Sequence, residues 1–160
     1  MLTRDQATAA FQRLLRAVYY LDSRNILHRD IKLSNMLLKE AGDFSTTVLG
    51  DFGLAIDLNT EKPVYGQQVG TAVYFSPELD DKRGVTSKQS DIWACGVAYY
   101  RMLTGGYPSK GRDMCVNYSN MQYDDERVIR QCLHWDRNAR PSAARLLDDL
   151  DWVPDGRHQK

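Results

Sequence analysis

Cysteine is scarce in this chain. Cys95, Cys115 and Cys132 are odd in number and widely spaced, with no C-x-x-C pair and no histidine at metal-ligand spacing. That excludes a disulfide framework or a structural zinc site and points to reduced thiols in a cytoplasmic or nuclear protein. Long hydrophobic runs are also missing: none approaches the ~20 apolar residues that a membrane span needs. The opening MLTRDQATAAFQ is amphipathic rather than signal-like. There is no surplus of either charge. Lys+Arg and Asp+Glu number 21 each, the formal net charge is zero, and no polybasic block invites nucleic acid or anionic lipid. Repeats and low-complexity tracts are absent, although residues 105–125 are rich in Gly, Ser, Asn and Asp and are expected to form a loop. A length of 160 residues suits one domain.

What remains is mostly helical patterning. Thr3 with Gln6 forms a capping-box start, and Phe11, Leu14, Leu15, Val18 and Leu21 recur at helical spacing. They predict a helix of about five turns that stops near Ser23-Arg24-Asn25. Ile26-Leu27 begins an extended segment, and Met36–Leu38 and Thr47–Leu49 read as two strands of a hairpin. From Asp51 to Glu78 periodicity is lost, and Gly53, Pro63, Gly66, Gly70 and Pro77 punctuate a long loop, which in a compact domain is usually functional. Ser90-Asp91 opens a stretch that is apolar nearly all round, through Leu103, as a core helix would be. Glu126–Leu133 and Ser142–Leu150 read as shorter amphipathic helices, with Pro141 at the start of the second. The fold class is mostly α with one small hairpin.

Asp30, Asn35 and Asp51 form a spaced series of hard oxygen donors, with the cation Lys32 two residues past Asp30. This set suits phosphoryl transfer, where positioning and charge neutralisation carry the catalysis and Mg²⁺ prefers oxygen ligands. Taken singly, Asp30 would more often be a cap or surface acid, Asn35 and Asp51 turn residues, and Lys32 a solvated charge. Trp93, Tyr99 and Tyr100 read as core, Cys95 as a small core group, and His134 and His158 as surface residues.

The surroundings lend the series its meaning. His28-Arg29-Asp30-Ile31-Lys32-Leu33-Ser34-Asn35 resembles the protein-kinase catalytic loop H-R-D-x-x-x-x-N, and Asp51-Phe52-Gly53 matches the D-F-G motif. Ser76-Pro77-Glu78 stands where A-P-E ends an activation segment. Asp91-Ile92-Trp93-Ala94-Cys95-Gly96 is similar to the D-x-W-x-x-G of the family's central helix, and Cys132–Ser142 resembles a C-L-x-x-D-P-x-x-R-P-S signature. The chain is thereby identified as similar to the C-terminal lobe of a eukaryotic-type serine/threonine protein kinase. The domain portion is expected over residues 1–153, with a polar tail at 154–160.

The resemblance implies ATP and protein substrates as partners and Mg²⁺ as cofactor, while balanced charge and short apolar runs give the expectation of neither nucleic acid nor membrane. It implies Asp30 as catalytic base, Asn35 and Asp51 as Mg²⁺ ligands, Lys32 as the phosphate contact and Leu37 as the apolar floor beneath adenine. Lys32 and Thr71 imply a Ser/Thr acceptor. Glu78 is expected to pair with Arg140, Asp91 to hold the backbone of His28 and Arg29, and Phe52 to stack on His28, with Gly53 completing its motif.

Departures from the pattern carry their own expectations. No glycine-rich loop or Val-Ala-Ile-Lys strand occurs in the sequence, so the chain alone is expected to be weakly active or inactive unless an N-lobe or partner chain completes the cleft. A catalytically silent docking module is the alternative. Ser34 and Arg101 stand where kinases that favour basic substrates carry Glu. Gln67 stands three residues before Gly70, where a phosphorylatable residue is common, so activation is not expected to need a loop phosphate. Arg137 replaces the usual Pro after Asp136, which touches only local geometry.

Overall fold

Thr3 accepts the Gln6 N–H while the Gln6 side chain accepts the Thr3 N–H, and this reciprocal cap starts helix α1, Arg4–Ser23. Its apolar stripe, Phe11, Leu14, Leu15, Val18 and Leu21 with Ala7 and Ala10, is buried throughout. Asn25, at φ 58°, ends the helix in the left-handed region, where Asn is among the better-tolerated side chains. The computed structural model describes residues 1–80, 84–109, 116–119 and 121–151.

Strand β1 (Ile26–Leu27) leads into the 28–35 segment, and β2 (Met36–Leu38) pairs antiparallel with β3 (Thr47–Leu49), Leu37 opposite Val48. This is the expected hairpin. A second small sheet was not expected: β4 (Ile56–Asp57) pairs antiparallel with β1. The 51–78 stretch is therefore not loop throughout, since it also contains a 3₁₀ turn at Ala72–Tyr74 and the start of the short helix α2, Pro77–Asp80.

Helix α3, Lys88–Thr104, runs through the centre, buried on nearly every face from Ser90 to Tyr100. It begins two residues earlier than the apolar pattern suggests, because Ser87 and Ser90 cap each other reciprocally. Helix α4 (Tyr123–Cys132) also starts earlier than expected, with Asp124, Asp125 and Glu126 in its first turn, where the helix dipole favours acids. Before α5 (Ala143–Asp151), the Ser142 hydroxyl accepts the Arg145 N–H, so Ser142 is the cap and Pro141 lies just outside the helix. Phe11 of α1 stacks on Tyr99 of α3 with centroids 4.2 Å apart. The core thus joins α1, α3, α4 and α5, and Ile31 and Tyr74 anchor the 28–35 and 51–78 segments to it. Cys95 and Cys132 are buried and free, their thiols pushed up by burial, Cys132 to about 12. His134 is exposed, as expected. Cys115, Trp152, His158 and the expected tail at 154–160 lie outside the described residues. No helix among the described residues is long and apolar enough to cross a membrane.

Candidate active site

The 28–35 segment is fixed from below by α3. Asp91, buried in its first turn, accepts the His28 N–H at 2.8 Å on one oxygen and the Arg29 N–H at 3.0 Å on the other. Burial pushes the Asp91 carboxyl up to about 7 against the pull of those two N–H groups. The grip matters because Arg29 sits at φ 67°, a conformation that a non-glycine residue holds only when its surroundings impose it.

His28 ties this segment to the next. Its ring is fully buried, accepts the Asp30 N–H on Nδ1 at 3.3 Å and meets the Gly50 carbonyl through Nε2 at 3.0 Å. That arrangement fits the neutral tautomer with the proton on Nε2. Burial lowers the His28 pKa, which favours the same uncharged form. Gly50 in turn donates to the Asn35 carbonyl at 2.8 Å, which sets Asp51 beside the loop. Phe52 stands edge-on to His28 with centroids 5.0 Å apart, as expected. Asp51 is exposed, at φ 57°, with one oxygen accepting the Gly53 N–H at 3.2 Å.

Asp30, Lys32 and Thr71 close a triangle. Lys32 Nζ lies 2.9 Å from Asp30 Oδ2 and donates to Thr71 Oγ1 at 2.9 Å, while the Thr71 hydroxyl donates to Asp30 Oδ1 at 2.8 Å. Asn35 Nδ2 donates to the Asp30 carbonyl at 2.8 Å and to Asp30 Oδ2 at 3.3 Å. Burial alone would raise the Asp30 pKa, but the hydrogen bonds from Lys32, Thr71 and Asn35 and the Lys32 charge hold the carboxyl below its ordinary value. Asp30 is thus an ionised acceptor at neutral pH.

Two residues that complete the triangle escape a reading by motif roles. Gly70 is at φ 107°, and a Cβ there would come within 2.3 Å of the Arg29 carbonyl oxygen, so only glycine lets Thr71 reach Asp30. Tyr74 Oη accepts the Leu33 N–H at 3.3 Å, pinning the loop from the far side. The punctuating glycine was visible in sequence; a contact across some forty residues was not.

Arg29 donates through Nε to the Leu54 carbonyl at 2.6 Å and through Nη1 to Gln67 Oε1 at 3.2 Å. A neutral amide therefore meets this guanidinium where the resemblance would place a phosphate. Behind the site, Arg140, with its side chain fully buried, holds Glu78 through two hydrogen bonds of 2.8 Å. Leu37 lies on β2 and is half exposed, as is Phe52, so both apolar side chains are open to solvent.

The oxygens suit a hard cation. Asn35 turns its amide nitrogen to Asp30, which leaves Oδ1 as its acceptor, and Asp51 keeps a second carboxylate oxygen beyond the one on Gly53. Among the described residues no cluster of three or more His, Cys, Asp or Glu forms a self-sufficient metal cage. Two protein oxygens completed by phosphate and water is the arrangement that Mg²⁺ prefers.

Known proteins resemble the chain over most of its length. Residues 1–153 match the protein kinase domain. The chain is 34% identical over 151 residues to CBL-interacting serine/threonine-protein kinase 5 of Arabidopsis thaliana, covering 93% of this chain and 32% of that protein. It is 39% identical over 168 residues to CBL-interacting protein kinase 25 of Oryza sativa subsp. japonica, covering 97% and 32%. With calcium/calmodulin-dependent protein kinase type II of Caenorhabditis elegans it shares 35% over 147 residues, covering 90% and 19%. The chain spans about a third or less of the length of these curated relatives.

Proposed function

Because the chain belongs to the eukaryotic protein kinase family, we propose that it carries the catalytic-loop half of a serine/threonine kinase, transferring the γ-phosphoryl group of ATP to a protein hydroxyl. The observation that carries this reading is the Asp30–Lys32–Thr71 triangle, in which every contact is 2.8–2.9 Å. A surface charge cluster has no need of a buried carboxylate held ionised, an adjacent cation and a hydroxyl in mutual contact.

The residues divide the work. Asp30, kept ionised, orients the acceptor hydroxyl and takes its proton as the hydroxyl oxygen bonds to the γ-phosphorus and the bond to the β–γ bridging oxygen breaks. Lys32 faces the negative charge that builds on the transferring group. Thr71, already bonded to both, lines the place of the acceptor segment and favours a Ser/Thr over a longer Tyr side chain. Asn35 Oδ1 and the Asp51 carboxylate would hold Mg²⁺, which when bound neutralises phosphate charge. Leu37 supplies an apolar surface for a purine base. ATP and protein substrates are thus the partners, and a second lobe or partner chain would close the open face above Leu37 and Phe52.

The test is transfer from γ-labelled ATP to serine and threonine peptides. Joined at Met1 to the N-terminal lobe of a relative, the chain is expected to transfer phosphate, and Asp30→Asn to lose roughly 10²–10⁴-fold in kcat. Unchanged kcat in Asp30→Asn would refute the reading. The 160-residue chain alone is expected to fall far below the ~1–100 s⁻¹ of kinases, since misplacement by ~1 Å already costs about 10²-fold.

A further inference from the structure

The first turn of α3 grips the end of α1 as well as the catalytic loop. Lys88 Nζ donates to the Asp22 carbonyl at 2.7 Å and to Asn25 Oδ1 at 3.2 Å, while Asp91, three residues further on, holds the N–H groups of His28 and Arg29. Between these two holds runs β1, and the backbone on either side of it is left-handed, at Asn25 with φ 58° and at Arg29 with φ 67°. Non-glycine residues keep that conformation only where their partners impose it. The placement of the loop that bears Asp30 therefore depends on what α3 does at both points.

A second carboxyl stands at this clamp. Asp22 Oδ1 is buried, and among the described residues nothing donates to it; Lys88 directs two donors past it, to the Asp22 carbonyl and to Asn25. Burial raises the Asp91 carboxyl to about 7 against the pull of its two N–H partners, with the Asp22 charge adding to the rise and the Arg29 charge opposing it. Burial likewise raises Asp22 to about 6 against the pull of Lys88. His28 and Cys95, one turn along α3, also face the cluster, and both are neutral: burial lowers the pKa of the imidazole and holds the thiol well above its ordinary value. Two like carboxyls in one buried cluster resist ionising together, and they titrate as a pair.

We propose that Asp22 is a positioning residue for the catalytic loop: it and Asp91 hold a proton between them, and loss of that proton sets two like charges together and weakens the α3 hold on His28 and Arg29. The proposal rests on the kinase reading only in that this loop is the catalytic one. Its sign follows from linkage. Carboxyls whose folded-state pKa is raised contribute a stability that is complete below their ordinary 3.8 and is lost as pH rises through about 6 for Asp22 and about 7 for Asp91. The loop is therefore held most firmly in acid and least firmly above neutrality. A purely structural Asp22, finishing α1, would change stability and leave the titration of Asp91 where it is.

The His28 and Arg29 amides report this directly, since both donate to Asp91. In ¹H–¹⁵N spectra of the 160-residue chain their shifts are expected to titrate with a midpoint near 7, and in Asp22→Asn with a midpoint roughly one unit lower. Asp22→Ala, which also lacks the charge, should move the midpoint the same way. Hydrogen exchange measures the hold itself: from about pH 5 to 7.5, protection of these two amides should fall about tenfold further in the parent than in Asp22→Asn. A midpoint that both neutral variants leave in place, an equal loss of protection in parent and variant, or parent amides that do not titrate near neutrality overturns the proposal. Phosphate transfer by the chain joined to an N-terminal lobe keeps the two readings apart. Transfer with an unmoved midpoint removes the Asp22 assignment and leaves the kinase reading. A midpoint that moves as expected, with no transfer to any peptide, does the opposite.

Discussion

Arg140 offers a quantitative test of how the site is supported. Its side chain is fully buried, and besides two 2.8 Å bonds to Glu78 it donates to the carbonyls of His134, Gln89 and Trp135 and lies 4.9 Å from the Trp93 ring centre. Arg140→Met removes every one of these donors and leaves Glu78 largely buried without its countercharge. Stranding one member of a buried pair costs about 3–5 kcal/mol, a large share of the 5–15 kcal/mol that typically holds a domain together. At roughly 2–4 °C per kcal/mol for a chain of this size, Tm should fall by about 6–20 °C. Glu78→Gln is expected to be milder, near 1.5–3 kcal/mol, because Arg140 keeps its three carbonyl partners. The pH dependence identifies the cause. Burial would raise the Glu78 pKa, but the hydrogen bonds and charge of Arg140 outweigh it and hold the carboxyl below its ordinary 4.5. A depressed folded-state pKa contributes stability that is present above 4.5 and disappears as pH falls through the folded value. The gap between parent and Arg140→Met should therefore be full at pH 7 and narrow below about pH 4.5. Urea denaturation followed by Trp fluorescence measures both. A loss under about 1 kcal/mol at pH 7, or a gap that does not narrow in acid, refutes the reasoning.

Asp22 runs the other way: burial raises its carboxyl from 3.8 to about 6 against the pull of Lys88. A raised folded-state pKa gives stability that is complete below 3.8 and is lost as pH rises through 6, so Asp22→Asn should be more stable than the parent at pH 8 and lose that advantage at pH 4, as urea midpoints will report. Gly96 lies in α3 where a Cβ would come within 2.5 Å of Cys132 Cβ and 3.0 Å of Leu133 Cδ2. Gly96→Ala should accordingly cost about 1–3 kcal/mol by overpacking despite the helix propensity of alanine, and a stabilised variant in thermal denaturation would contradict that contact. Because Gln67 already occupies the Arg29 guanidinium, the protein in its active form should carry no stoichiometric phosphate between Asp51 and Glu78. Intact-mass and peptide mass spectrometry will detect one if this is wrong.

The sequence made some of this legible for physical reasons that can be named. Thr3/Gln6, the α1 stripe and the continuous apolar run of α3 are local signals, and each folds as its own period demands. The α4 boundary was missed because Asp125, at a core-facing position, is buried against Arg4 and Tyr99, so a charge interrupts the apolar pattern where the helix has already begun. The β1–β4 pair was missed because two-residue strands carry no alternation to read. The start of α3 was missed because Ser, not Glu, closes its capping box.

For the site, the order of the motifs named the residues, but their convergence is a long-range fact. Thr71 reaches Asp30 across 41 positions, and the Asp91 grip on His28 spans 63. Neither leaves a periodic trace. What makes these contacts possible is backbone that most side chains avoid: Arg29 and Asp51 accept the left-handed region, and Gly70, which does so freely, leaves room for the Arg29 carbonyl. Ordinary propensity fails at the two non-glycine positions, where the 28–35 segment and the Asp51–Gly53 turn must approach the Thr71 segment. Strain of order 1–3 kcal/mol per residue persists only where buried partners over-determine it. Here Asp91 and His28 are those partners for the 28–35 segment, so residues that look structural are what keep Asp30, Lys32 and Thr71 within hydrogen-bonding distance.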